Sequence, residues 1–378
     1  MSACSQRMHD VIDSYARVEA VRAAFAAGEI VVVTDDDDRE NEGDLLVAAS
    51  LCTPEKMAFI IRHTSGIVCA PLSAHDAKRL HLDPMVAAND APLGTAFTVS
   101  VDCRHGLTTG ISAEERCNTV RALANPNSGA ADFARPGHVF PLVAKDGGVL
   151  MRSGHTEACI DLCRLAGLPT VGVLAELMND DGTVMRGHAV SEFVRKHKLK
   201  QVSIANLISY RQARDKLVRR IGEFPVQSDI GVLQGYAYVT PFDPIQHMAF
   251  VYGRVGGGKD MLARLHRADV IRDVFGGAAA VHAALKRFKL EGRGVIVFLR
   301  DGAAGVPTHA IPQSEASSSE AARSLQWREI GLGAQILRDL GITSIRLLTS
   351  AKLTYVGLGG FGIEITSTEL MDDKSARD

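Results

Sequence analysis

The sequence predicts two mixed α/β (α+β) domains in succession, and three observations carry that prediction. The chain is 378 residues long, more than one hydrophobic core usually organises and comfortable for two. Short β-branched apolar runs alternate with stretches of helical periodicity. The composition changes near Ala205. A basic stretch from Tyr210 to Ile221 (Arg211, Arg214, Lys216, Arg219, Arg220) reads as a linker helix, and a second alternating region follows. The domains are expected over 1–205 and 206–378.

The bulk properties exclude several classes. Hydrophobic residues make up 46% and charged residues 23%, the balance of an ordinary globular protein. A formal net charge of -2 argues against a nucleic-acid binder, which carries a basic excess. No apolar run approaches the length of a membrane span, and Met1–Arg7 lacks the apolar core of a secretory signal. Cysteine numbers 7, an odd count with no Cys-x-x-Cys pair, which fits a reducing, cytoplasmic setting. Cys159 and Cys163, four apart, read as small core residues on one helix face.

In chain order, Val11–Ala27 carries apolar residues at helical spacing and ends at Gly28, a C-cap. Ile30–Val33 is a buried strand. A helix follows Thr53-Pro54-Glu55, with threonine as cap and proline in the first turn, burying Met57, Ile60 and Ile61. Ile67–Ala70 is the next strand, and Ala96–Val101 alternates cleanly enough to be a third. Ser112 caps a charged helix, with Glu115 completing a capping box. Arg135–Leu142 is expected as a proline-bracketed turn bearing His138. Ala158–Leu165 is helical, and Gly172–Leu177 is a buried strand with Glu176 near its end. Asp301–Ala322, poor in large apolar residues, is expected as a mobile loop, and Met371–Asp378 as a frayed tail.

The first domain is organised around Asp35–Asp44. Seven carboxylates (Asp35, Asp36, Asp37, Asp38, Glu40, Glu42, Asp44) fall within it beside one arginine, Arg39. Charges so crowded cost stability unless a cation or solvent relieves them. In an extended chain Glu40, Glu42 and Asp44 would share a face. That face could hold a hard divalent ion or supply proton-transfer groups; a solvated acidic loop is the plainer alternative. The run leaves a buried strand and enters apolar Leu45–Ala49, so both flanks are core. Glu176 at a strand end is placed where burial raises a carboxyl pKa. Arg152-Ser153-Gly154-His155-Thr156 combines an arginine, a hydroxyl, a glycine and the free N–H groups of a helix start. These are the parts of a phosphate site, or of an ordinary capped helix. His138 and His155, each taken singly, read more readily as structural histidines than as functional ones.

Several strings together resemble a known family. They are Asp38-Arg39-Glu40-Asn41-Glu42-Gly43-Asp44, His63–Cys69, Thr95–Asp102 and Thr108–Ala113. Arg135–Leu142, Gly154–Ala158 and Glu176–Gly182 complete the set. In this order, over about residues 10 to 205, they resemble 3,4-dihydroxy-2-butanone 4-phosphate synthase, an enzyme of riboflavin biosynthesis. The resemblance implies a three-layer domain around a mixed sheet, acting as a homodimer without nucleic acid or membrane. It implies conversion of D-ribulose 5-phosphate to formate and 3,4-dihydroxy-2-butanone 4-phosphate with Mg²⁺, replaceable by Mn²⁺. Glu40 and His155 occupy its metal positions. Arg39, Glu40, Asp44, Arg152, Ser153, Gly154, His155, Thr156 and Glu176 occupy substrate-contact positions. His138 and Glu176 stand where the essential catalytic groups do, with Glu42, Asp44 and Cys69 as further catalytic positions. The chemistry agrees: enediol formation, dehydration, rearrangement and loss of formate all need proton transfer beside developing negative charge. Glu115 and Cys117 depart slightly from the family pattern.

From about Gly222 the chain resembles GTP cyclohydrolase II, through Glu291–Arg300, Ile330–Gly341 and Tyr355–Ile365. That family holds zinc with three cysteines. Aligning on Ala283-Ala284-Leu285 puts Arg264, Phe275 and Gly277 in their places, and no cysteine follows Cys163. Catalytic zinc needs about three protein ligands. No zinc and no cyclohydrolase activity are therefore expected, the more so because Asp301–Pro307 replaces the family's catalytic loop. His266, His282 and His309 have no ligand spacing, and Gly256-Gly257-Gly258-Lys259 reads as a turn. The alternative is a regulatory or scaffolding protein whose second domain binds a nucleotide without turnover.

Overall fold

The computed structural model describes residues 3–35, 40–91, 93–241, 245–300, 331–349 and 363–371, with side chains from residue 14 onward. Arg39, His309 and the segments 301–322 and 355–362 lie outside the described residues. The chain forms two compact units, Met1–Arg211 and Gln212–Asp378.

The first unit is built on a mixed sheet in the order β4-β5-β3-β6-β2-β1-β7. Its strands are β1 (Val31–Thr34), β2 (Gly43–Ala48), β3 (Cys69–Leu72), β4 (Val101–Cys103), β5 (Phe133–Val143), β6 (Gly172–Glu176) and β7 (Lys200–Ser203). Its helices are α1 (Ala3–Ala26), α2 (Pro54–His63), α3 (Ala74–Arg79), α4 (Ala113–Ala124), α5 (His155–Ala166), α6 (His188–His197) and α7 (Ile204–Arg214), the last running past the unit's end. Alternate side chains of each strand enter two cores. Val32, Leu45, Val47, Ala70, Val139 and Val173 pack with Met57 and Ile60 of α2, Val120 and Leu123 of α4 and Val190 of α6. Val31, Val33, Leu46, Cys69, Leu142 and Leu174 pack with Phe25 of α1, Leu162 of α5 and Tyr210 of α7. Both faces of the sheet are covered, which is why its strands read as continuous apolar runs. Each fully buried aliphatic side chain contributes about 1.5–3 kcal/mol.

Helix starts and ends follow the sequence signals. Thr53 Oγ1 accepts the Lys56 N–H at 3.4 Å, Ser112 Oγ accepts the Glu115 N–H at 3.2 Å, and Gly28 turns at φ 79°. Cys159 and Cys163 are both fully buried.

Three local expectations are corrected. Arg135–Leu142 is not a turn but lies inside β5, and the alternating Ala96–Val101 is not a regular strand. The two findings share a cause. Pro136 and Pro141 have no N–H to donate, so this side of β5 pairs through a short antiparallel ladder with β4, interrupted by a register shift at Val101/Asp102, and through isolated bridges such as Phe97↔Leu142. Gly137 sits at that shift, where a Cβ would lie 2.0 Å from the Val101 carbonyl carbon. The basic stretch after Tyr210 is not one helix: α7 ends at Arg214 and a strand begins at Arg219.

The second unit holds a sheet in the order β14-β13-β11-β12-β10-β9-β8. Its strands are β8 (Arg219–Ser228), β9 (Gly231–Val239), β10 (Gln246–Tyr252), β11 (Met261–Arg267), β12 (Gly294–Leu299), β13 (Ser344–Thr349) and β14 (Glu364–Leu370). An antiparallel meander, β8 to β10, joins a parallel group, β12-β11-β13-β14. Helix α8 (Ala279–Glu291) packs Ala284, Leu285 and Phe288 on Leu262 and Ile296. Gly256-Gly257-Gly258-Lys259 is a turn, in which a Cβ on Gly258 would lie 1.9 Å from the Gly341 carbonyl oxygen.

Candidate active site

The acidic stretch is the connection of the β1–β2 hairpin, whose last pair is Thr34↔Gly43. Asp35 closes it. One carboxylate oxygen accepts the Glu40 N–H at 2.9 Å and the other the Glu42 N–H at 2.8 Å. Asn41 adopts φ 54°, a left-handed conformation that asparagine tolerates and that breaks an extended run. The expected alignment of Glu40, Glu42 and Asp44 on one face therefore does not occur. Glu42 turns to Arg186, with Nη2 donating to Oε1 at 2.8 Å. Glu40 and Asp44 both meet His155 instead, each with a carboxylate oxygen 3.8 Å from its Nδ1.

Strand register completes the group. Asp44 pairs with Glu176 across β2 and β6. Asp44, two before Leu46, and Glu176, two after Leu174, point toward the α5 side of the sheet, where those leucines pack. His155 reaches the same place from the first residue of α5. Asp44 is buried at 2% exposure, and its Oδ1 has no hydrogen-bond partner among the described residues. Its carboxyl is pushed well above the usual range, first by burial and then by the charges of Glu176, Glu40, Glu42 and Asp35. Glu176 accepts a hydrogen bond on Oε2 from Ser65 Oγ at 3.0 Å.

The donor set fits a hard divalent cation. A separation of 3.8 Å between Glu40 Oε2 and His155 Nδ1 can be spanned by two ligands of one ion at about 2.1 Å each. The crowding of carboxyl groups around Asp44, whose Oδ1 has no hydrogen-bond partner among the described residues, is relieved by a cation beside them. Among the described residues no three His, Cys, Asp or Glu side chains form a metal cage, so such an ion would complete its shell with other oxygens, as magnesium commonly does.

The Arg152–Thr156 segment is fixed by an internal ion pair. Arg152 Nη1 donates to Glu157 Oε2 at 2.7 Å, while Nη2 reaches the Leu93 carbonyl at 3.1 Å and Thr95 Oγ1 at 3.3 Å. A Cβ on Gly154 would lie 2.3 Å from Arg152 Nη1 and 2.8 Å from Glu157 Oε2, so a larger residue there would push on the Arg152–Glu157 ion pair. Gly154 caps α5 without a side-chain bond, and Ser153, His155 and Thr156 follow the chain into the helix, whose first-turn N–H groups have no intrahelical partner. Cys69 lies in the core at 2% exposure, and burial together with the Glu176 and Asp44 charges keeps its thiol protonated.

His138 sits on β5, two strands from β6 in the sheet order. Its Nδ1 lies 2.8 Å from Asp102 Oδ2, and its backbone N–H donates to Asp102 Oδ1 at 2.8 Å. The register shift leaves that N–H without a ladder partner, and Asp102 supplies one. Sequence reading quoted Asp102 but gave it no role. Ser65 and Arg186 meet their partners only through tertiary contacts, and Asp35 acts only once its loop takes this particular turn.

In the second unit Arg264 is buried on β11, Phe275 is 82% exposed, and Gly277 turns at φ 72°. His266 Nε2 lies 2.9 Å from Asp273 Oδ1, and His282 Nδ1 lies 2.9 Å from the Gly277 carbonyl.

The first unit is thus an α/β enzyme domain with a carboxylate–histidine site at the ends of β2 and β6. Its counterparts among known proteins give the family. Residues 19–210 match the family model of 3,4-dihydroxy-2-butanone 4-phosphate synthase, and residues 219–369 that of GTP cyclohydrolase II. The chain belongs to the 3,4-dihydroxy-2-butanone 4-phosphate synthase family of riboflavin biosynthesis, with that domain joined to one of the GTP cyclohydrolase II type.

The chain is 45% identical over 356 residues to bifunctional riboflavin biosynthesis protein RIBA 1, chloroplastic, of Arabidopsis thaliana. That match covers 89% of this chain and 66% of the relative, so the chain spans just under two thirds of the plant protein. It is 43% identical over 369 residues to riboflavin biosynthesis protein RibBA of Salinispora arenicola, covering 93% of this chain and 88% of that one. A crystal structure of RibBX from A. baumannii, described as a two-domain 3,4-dihydroxy-2-butanone 4-phosphate synthase, aligns with TM-score 0.77 at 36% identity, covering 92% of this chain and 99% of that chain. A 3,4-dihydroxy-2-butanone 4-phosphate synthase in complex with two magnesium ions aligns with TM-score 0.52 at 45% identity, covering 52% of this chain and 97% of that chain.

Proposed function

We propose that the first domain converts D-ribulose 5-phosphate to 3,4-dihydroxy-2-butanone 4-phosphate and formate, and that the second keeps the cyclohydrolase II fold without turning over GTP. The observation that carries the first part is the meeting of Glu40, Asp44 and His155, with Glu176 in register beside Asp44.

The reaction is redox-neutral. The five-carbon phosphate divides into a four-carbon phosphate and formate, and the water lost in dehydration returns when formate is released. Glu176 takes the proton beside the ketone, with Ser65 fixing its Oε2. Asp44, whose carboxyl is pushed up by burial and by neighbouring charge, stands where it can return a proton to a departing hydroxyl. His138 donates Nδ1–H to Asp102, which leaves Nε2 to exchange the second proton. The N–H groups opening α5, with Ser153 and Thr156, bind the phosphate, while Arg152 braces the segment through Glu157. Arg39 is proposed as a further substrate contact from its sequence position. Glu40 and His155 would hold the divalent cation, Mg²⁺ or Mn²⁺, which supplies charge stabilisation for vicinal substrate oxygens. The related synthase solved with two magnesium ions supports this choice. Glu42 acts on the site through its hold on Arg186, and Cys69 lines the floor beneath the carboxylates.

For the second domain, no cysteine follows Cys163, and arginine, phenylalanine and glycine at 264, 275 and 277 offer no zinc donor. The relative from A. thaliana is named bifunctional, so a direct assay is needed. We place the protein in a reducing compartment as a homodimer. The decisive experiment is formate release by the purified chain, with ribulose 5-phosphate and Mg²⁺ in one arm and GTP and zinc in the other. Formate is expected only in the first. No formate there overturns the synthase reading; formate from GTP overturns the inactive second domain.

A further inference from the structure

Two adjacent residues at the start of α4 each tie down a loop that touches a proposed proton-transfer group. Glu115 gathers the turn before its helix. Its Oε1 accepts the Thr108 N–H at 2.7 Å, the Thr108 hydroxyl at 2.8 Å and the Gly110 N–H at 3.1 Å, while Oε2 accepts the Ser112 hydroxyl at 2.9 Å. So many donors hold the carboxyl down at about 2, so it stays charged across the working range. A side chain placed only to cap a helix needs fewer of these bonds.

The turn so held presses on the His138–Asp102 pair. Gly110 adopts φ 82°, and a Cβ there would lie 2.2 Å from Asp102 Oδ2 and 2.7 Å from His138 Nδ1. The α-carbon of Gly110 therefore covers the hydrogen bond that fixes the imidazole, and only glycine can do so. The next residue works in the other direction. Arg116 is buried at 6% exposure, and its Nη1 donates to the Gly66 carbonyl at 2.9 Å. Gly66 follows Ser65, whose N–H donates to the Glu176 carbonyl at 3.0 Å and whose hydroxyl donates to the Glu176 carboxylate at 3.0 Å.

We propose that Glu115 and Arg116 are a paired positioning element: Glu115 sets His138 through Gly110, and Arg116 sets Glu176 through Gly66 and Ser65. The inference rests on the synthase reaction proposed above. It gives a role to the Thr108–Ser112 segment and to a glutamate that departs from the family pattern.

The test uses the full-length protein with two kinds of readout. In the wild type the His138 Nδ1 proton should appear in the NMR spectrum as a downfield, exchange-protected resonance, assigned by its absence in His138→Asn. Glu115→Ala should lose that resonance and lower kcat by about tenfold or more, with KM changed less than about threefold. Glu115→Gln, which keeps a carbonyl oxygen for the Thr108 and Gly110 donors, should retain the resonance and most of kcat. Gly110→Ala leaves the Glu115 contacts in place but drives a methyl into the pair, so it too should lose the resonance. Arg116→Met should speed amide exchange at Ser65 and lower kcat by about fivefold or more, with partial recovery in Arg116→Lys. Glu114→Ala, on the exposed side of the same turn, should leave every readout unchanged. Thermal unfolding checks that each variant is folded. If Glu115→Ala does not fold, Gly110→Ala and Glu115→Gln decide the matter by the same resonance. A folded Glu115→Ala or Gly110→Ala with the resonance and kcat intact overturns the His138 arm, as does lost kcat with the resonance intact. Unchanged Ser65 exchange in Arg116→Met overturns the Glu176 arm. If wild-type protein releases no formate from ribulose 5-phosphate, the reaction assignment fails, while the resonance and exchange readouts still report whether the tethers hold.

Discussion

Asp44 stands directly opposite Glu176 across the antiparallel β2–β6 pair, so two carboxyl groups face the same side of the sheet within one register step. Like charges so placed cannot both ionise cheaply. Asp44, the more deeply buried, is the one whose carboxyl is pushed up.

This arrangement fixes the sign of a pH effect. The folded carboxyl of Asp44 is raised above its unfolded value of about 3.9. Its contribution to stability is fully present below the unfolded value and is lost as pH rises through the folded one. Asp44→Asn removes that loss. With EDTA present, the variant should gain about 1–2 kcal/mol over wild type at pH 8 relative to pH 4, measured by urea unfolding, while formate release falls sharply. An equal difference at both pH values would show that Asp44 ionises normally.

The cation site gives a second prediction. Glu40→Gln and His155→Ala should each cost about 3 kcal/mol of transition-state stabilisation, because the pair holds the local positive charge. EDTA should abolish formate release by the wild type, and Mg²⁺ or Mn²⁺ should restore it. Full activity in excess chelator is the result that removes the metal from the mechanism.

Proton transfer gives a third. Glu176→Gln keeps the bond from Ser65 but cannot take a proton. It should lower kcat by about 10²–10⁴-fold with a smaller change in KM. Ser65→Ala, which leaves the carboxylate present but less fixed, should cost less. A Glu176→Gln enzyme that differs from wild type only in KM would assign Glu176 to binding alone.

The extent of the first domain gives a fourth. A fragment ending near Ser209, after the composition change at Ala205, omits Tyr210 and Arg211. Tyr210 is 1% exposed and packs in the α1–α5 core, with its hydroxyl bonded to Glu19. Arg211 Nη1 donates to Asp161 Oδ2 and to the Gly147 carbonyl, both at 2.7 Å. Losing the tyrosine side chain costs about 3–5 kcal/mol, and removing Arg211 leaves the buried Asp161 with only the Val149 N–H and the more distant Arg164, a further loss. A fragment ending at Arg214, the end of α7, should fold and release formate, whereas one ending at Ser209 should be unfolded or strongly destabilised by circular dichroism. Equal stability of the two would mean that Tyr210 and Arg211 contribute nothing to the core.

The sequence alone determined the class of fold, the succession of two α/β regions, most helix starts and the place of the acidic loop. These are local matters: apolar periodicity, cap residues such as Thr53 and Ser112, and a carboxylate run between apolar flanks all act over a few residues. Tertiary structure decided what each carboxylate does. Asn41 breaks the alternation, so Glu42 meets Arg186, 144 positions away in the chain, and not its near neighbours. Asp102 finds the N–H and imidazole of His138 only because prolines and Gly137 disrupt the β4–β5 ladder, and Ser65 finds Glu176 only through β6. The same distinction separates Arg135–Leu142 read as a turn from the strand it forms. Proline signals a break to its neighbours, but a sheet that leaves the missing donor on an irregular side accepts it. Side-chain hydrogen bonds across the sheet depend on register, and register is set by the packing of the whole domain.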